Sequence, residues 1–241
     1  MRTAALFPKL SEICEIGLNA MPIIENALVE SQKKTGVTFS PSQAFLLAYF
    51  RRNKMYLQSA YLVGAMGFYG PSMNLQRTVY ETVLRGYLFI VDPDEANSYH
   101  DNLKPGKVEI FLKSRNYYGH KFLCEKLFDE TRKKQQRKFY ALLCESAHAE
   151  IKGLLLDYPK YNRKNVEDSL KILLMLSYGN LQMVSEMFLE SFDDNLKKFT
   201  ADFLKEIATS VGNQIPLFEP NKGEYESKIR LKRGNFLEIL K

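Results

Sequence analysis

Residues 40–70 read SPSQAFLLAYFRRNKMYLQSAYLVGAMGFYG. Ser40 is a good helix N-cap, since its hydroxyl can accept a backbone N–H left unpaired in the first turn. Pro41 suits the first helical turn, where a missing N–H costs nothing. Apolar residues then recur at helical spacing until Gly70-Pro71, which predicts one long helix ended by that pair. The same period runs through almost the whole chain. On the near side it predicts a helix over 8–34, kinked at Pro22 and capped by Gly36. On the far side come helices over 72–91, a short one opened by Asp92 and Pro93, then 107–116 and 120–129. Longer ones follow over 131–156, 165–192 and 195–212.

The helical period fades after residue 213, and KIRLKRGNFLEIL alternates well enough for a short hairpin or an extended arm. The sequence therefore predicts an all-α fold: a single helical bundle of about eight or nine helices over 1–213 and a C-terminal arm over 214–241. No internal repeat or low-complexity linker interrupts it.

Composition fits this. Of 241 residues, 45% are hydrophobic and 26% charged, which excludes a disordered chain. Sixteen Phe and fourteen Tyr supply much of the core volume. A net charge of +6 and a pI near 9.0 suit an acidic partner without requiring nucleic acid. Cys14, Cys124 and Cys144 are far apart and form no C-x-x-C pair, so a reducing compartment is expected. With no signal-peptide h-region and no window of about 18 apolar residues, the expectation is a soluble, cytoplasmic chain without a membrane partner. Nucleotide-binding loops, G-x-S-x-G and H-E-x-x-H do not occur, and no cofactor or metal is expected. ESAH, residues 145–148, has the spacing of a di-iron motif, but such sites need a second copy and two more glutamates.

The helix over 72–91 is apolar nearly all round, which predicts a central position. Arg77 and Glu81, four apart, can pair across one turn. Buried, that pair would be costly to break. Cys144 and His148, also four apart, share a face with Tyr140. These four, Arg77, Glu81, Cys144 and His148, form either a structural polar core or the floor of a pocket. The Arg-x-x-x-Glu helix, followed later by a Tyr-x-x-Leu-Cys-x-x-x-His helix, resembles a group of uncharacterised microbial helical proteins over about residues 41–156.

RNYYGH, residues 115–120, resembles the signature of HEPN ribonucleases, small helical bundles with an Arg, often a following polar residue, and a His four to six positions on. The resemblance implies metal-independent RNA cleavage at a site shared between two protomers, hence RNA and a second copy as partners. Carried over, Arg115 would hold the scissile phosphate. His120 would act as general acid or base, and Asn116 would orient a phosphate oxygen or the imidazole. Gly119 also suits a helix boundary, with His120 starting the next segment. RKKQQRK adds Arg132, Lys133, Lys134, Arg137 and Lys138 as candidate phosphate contacts, or a solvated helix face. Two functions stay open: an RNA-directed endoribonuclease of defence or toxin type, and a non-catalytic interaction or structural bundle in which Arg115, Asn116 and His120 only cap or pack helices.

Overall fold

The computed structural model describes residues 7–36, 38–102, 119–145, 163–211, 218 and 220–223. Every regular element among them is helical, so the fold is an all-α bundle. Arg115, Asn116, His148, the expected helix over 107–116, the end of the one over 131–156 and the alternating C-terminal stretch lie outside the described residues.

Helix α1, Pro8–Thr35, starts on a proline and ends at Gly36, whose left-handed φ of 65° brings its N–H to Gln32 O at 2.9 Å. Pro22 sits inside it without ending it. Helix α2, Pro41–Ala65, opens as expected on Ser40, and the cap is reciprocal. Ser40 Oγ accepts from Gln43 N at 3.3 Å, and Gln43 Oε1 accepts from Ser40 N at 3.0 Å.

Its other end corrects the expectation. The chain turns at Gly67, φ 94°, where Gly67 N–H reaches Gly64 O at 3.0 Å and Phe68 N–H reaches Val63 O at 3.1 Å. That is a Schellman ending. Gly70 and Pro71 therefore belong to the first turn of α3, Tyr69–Val91, where an absent N–H breaks no intrahelical bond.

Helix α4, Pro93–Asn102, starts at Asp92, whose Oδ1 accepts from Glu95 N at 3.4 Å. Helix α5, His120–Leu127, leads into α6, Glu130–Glu145, capped by Asp129 through Arg132 N at 2.8 Å. Helix α7, Arg163–Phe188, continues through a 3₁₀ turn to α8, Asp194–Val211, which Asp193 caps through Leu196 N at 2.8 Å.

Helix α3 is the central element, as its all-round apolar sequence predicts. From Val79 to Val91 only Glu81 and Arg85 are not buried. Helices α2 and α7 pack on one part of it, and α4, α5 and α6 on the rest. Helix α1 lies against α2, α7 and α8. Burying side chains such as Phe50, Leu57, Tyr80, Leu174 and Leu181 contributes about 1.5–3 kcal/mol each. Phe218 joins this core at 2% exposure, pressed against Gly179 of α7; a Cβ on that glycine would come within 2.7 Å of the ring.

Helix α2 is apolar on two faces. Leu46, Phe50 and Leu57 point inward and are fully buried, while Met55, Leu62 and Met66 are 64%, 62% and 72% exposed.

Candidate functional site

The sequence nominated His120, and its surroundings form a polar cluster where α3, α5 and α6 meet. His120 is the first residue of α5, because Gly119 before it takes an extended N-cap conformation. From there the imidazole lies over Tyr140 of α6 in nearly parallel stacking, centroids 3.9 Å apart and planes 6° apart. Its Nε2 is 3.1 Å from the Tyr80 hydroxyl of α3 and 3.2 Å from Cys124 Sγ, one turn along its own helix.

Tyr80 donates its single proton to Gln136 Oε1 at 2.8 Å. Its oxygen is then an acceptor for His120 Nε2–H, which places a proton on Nε2.

Burial drives the chemistry of these groups in one direction. It pushes the half-buried His120 down to about 4, helped by the nearby Arg137 guanidinium. It pushes the Cys124 thiol up to about 12 and the Tyr80 phenol well above its ordinary value. At neutral pH all three are uncharged. They can hold each other in place, but none titrates near pH 7.

The Arg77–Glu81 pair borders this cluster. Arg77 Nε and Glu81 Oε1 are 3.7 Å apart, with side chains 26% and 31% exposed. The pair is therefore partly wet, and Glu81 has a better partner in Tyr140, whose hydroxyl donates to Oε1 at 2.7 Å. Tyr140 is held above its ordinary value by burial and then by this carboxylate. Arg77 Nη1 reaches Cys144 Sγ at 4.0 Å, so three of the four residues expected to share a polar core do meet, and the fourth, His148, is outside the described residues. Among the described residues no group of three or more His, Cys, Asp or Glu side chains is placed to hold a metal ion.

The basic stretch on α6 divides. Lys133 is only 5% exposed and donates to Glu125 Oε2 at 2.7 Å and to Glu130 Oε1. Those carboxylates, Glu125 first, hold its ammonium above the ordinary value. Arg137 donates to Glu125 Oε1 at 2.9 Å. Arg132 is half-buried beside its backbone bond to Asp129, whereas Lys134 and Lys138 are exposed.

Sequence reading missed Tyr80, Cys124 and Gln136 as members of the cluster. The four-residue spacings His120–Cys124 and Gln136–Tyr140 were available as a signal, since each pair shares a helix face. Nothing local marks Tyr80, 40 residues before His120, as their common partner. Comparison with family models, curated proteins and solved structures found no match.

Proposed function

We propose that this chain is a non-catalytic helical interaction bundle. The observation that carries the reading is the state of His120: neutral, stacked on Tyr140, with Nε2 engaged by Tyr80 and Cys124. A general acid or base works best with a pKa near the operating pH and a free path to its substrate. With a value near 4 and its Nε2 inside a packed network, His120 is suited to joining three helices. Two of the five nominated cations, Lys133 and Arg137, are likewise engaged by Glu125. The outward stripe of α2 supplies an apolar surface of the kind that binds other proteins.

The test is cleavage of a mixed single-stranded RNA pool in EDTA by wild type, His120→Ala and Arg115→Ala. Intact RNA with all three, together with a lowered melting temperature for His120→Ala, is the expected result. Cleavage by wild type that His120→Ala abolishes would overturn the reading and restore a ribonuclease built on Arg115, Asn116 and His120.

A further inference from the structure

We propose that the groove at the α5–α6 turn is a docking site for an extended Phe-x-Pro-Asn-Lys segment of a partner protein, occupied in the free chain by its own residues 218–222. This site rests on the interaction bundle proposed above and gives it a binding face that opens and closes. The chain itself shows what the groove takes. Phe218 fills a notch formed where Gly179 of α7 has no side chain, and a Cβ there would come within 2.7 Å of the ring. Tyr80 of α3 and Phe139 of α6 flank the ring, with centroids 6.0 and 6.3 Å away. Pro220 is buried as well. Asn221 then bridges the turn between the two helices. Its N–H donates to Leu127 O at 2.9 Å, and its Oδ1 accepts from Asp129 N at 3.0 Å. Lys222 Nζ donates to Glu125 O.

These are the contacts of a bound peptide. One aromatic side chain sits in a pocket shaped for it, and hydrogen bonds to main-chain groups fix the direction of the segment. Leu127 O and Glu125 O are carbonyls of the last turn of α5, which the helix itself cannot satisfy. The Lys222 ammonium also meets the negative end of that helix. Water can satisfy these helix-end groups once the segment leaves, so what holds it in place is chiefly the buried Phe218 ring. Tethering supplies the rest, as a high effective concentration that a partner overcomes by binding more tightly. Helix α5 is coupled to the site. It has eight residues, too few to be stable in isolation, and Asn221 and Lys222 complete its C-terminal end. Undocking therefore loosens α5 ahead of the rest of the bundle.

Hydrogen exchange on the full chain, read segment by segment, tests both parts. In Asn221→Ala, and more strongly in Phe218→Ala, the amides of residues 120–129 should exchange about tenfold or more faster than in wild type, while those of 79–91 and 170–188 keep their rates. Equal acceleration of all three stretches in the milder Asn221→Ala would mean that residues 218–222 only stabilise the whole fold, and would overturn the docking site. Unchanged exchange over 120–129 in both variants would overturn it too. The peptide LFEPNKG, residues 217–223, is then added in trans to both variants at millimolar concentration. It should restore slow exchange over 120–129, and the same peptide with alanine in place of its phenylalanine should not. No restoration, or restoration by both peptides, would overturn the groove as a site for a partner's segment. RNA cleavage dependent on His120 would overturn the non-catalytic bundle and leave these exchange rates as they are, so the two failures are told apart.

Discussion

Two groups of buried polar contacts meet at α3, and they differ in kind. Toward α2 and α7 the groups are amides and hydroxyls. Asn53 Nδ2 donates to Asn180 Oδ1 at 2.9 Å, and Gln76 Nε2 donates to Ser72 and Ser169, each at 3.1 Å. Toward α5 and α6 the groups are ionisable: His120, Tyr80, Cys124, Glu81 and Lys133. Both sets satisfy buried donors, but only the second can change with pH. Around α3 the contacts toward α2 and α7 are therefore indifferent to protons, and those toward α5 and α6 are sensitive to them.

The sharpest way to break this contrast is on the neutral side. Asn180→Leu removes the acceptor of Asn53 Nδ2 at a site with no exposure. An unpartnered buried amide should cost about 2–3 kcal/mol in urea denaturation, equally at pH 5 and pH 8. A cost that changes with pH would remove the distinction.

The ionisable side should behave oppositely. His120 is held at about 4, below its ordinary 6.5. Between those values the unfolded chain binds a proton that the folded one resists, so stability falls as pH drops from 6.5 through 4. After allowance for the partial exposure of the ring, the loss is about 2 kcal/mol. His120→Phe keeps a stacking ring but loses the Tyr80 bond, and should be about 1 kcal/mol less stable than wild type at pH 7. Toward pH 4 the order should reverse, because the variant has no imidazole to protonate. Parallel curves for the two proteins would refute the assignment.

Glu81→Ala is a finer probe. Buried, the Arg77–Glu81 pair would be costly to break, but the observed pair is partly exposed at 3.7 Å. The expected loss is about 1 kcal/mol, mostly from leaving Tyr140 without its acceptor. A loss above about 3 kcal/mol would place the pair in the dry core.

Thiol labelling probes both sides with the smallest perturbation. Cys14 and Cys124 are buried, and burial raises both thiols, whereas Cys144 is half-exposed. In native protein Cys144 should react first, and the other two at a rate set by opening. Equal rates would mean that the α5–α6 region is open.

Local chemistry explains what was legible. Ser40-Pro41, Asp92-Pro93 and Gly36 mark helix ends because caps act over one turn, and α3 reads as central because it is apolar all round. Gly70-Pro71 misled for the same reason in reverse: proline is as compatible with a first turn as with a stop, and the backbone of Gly67 made the turn three residues earlier. Within the cluster, Arg77 with Glu81 on α3 and Tyr140 with Cys144 on α6 could be paired from helix spacing. The Tyr80–His120–Gln136 contacts could not, because they depend on how three helices dock.

The docking of Phe218 has a consequence for the order of events during synthesis. Its ring lies against Gly179 and within 6.0 Å of the Tyr80 ring, and Asn221 N–H bonds Leu127 O at 2.9 Å. The junction of α5 and α6 is thus closed by residues that leave the ribosome about a hundred positions later, a delay of roughly 5–20 s at ordinary elongation rates. Until then Tyr80 and Phe139 lack one of their ring neighbours, and the nascent bundle exposes an aromatic patch. Chains stalled before residue 218 should therefore be bound by holdase chaperones, and release should coincide with the emergence of that one phenylalanine.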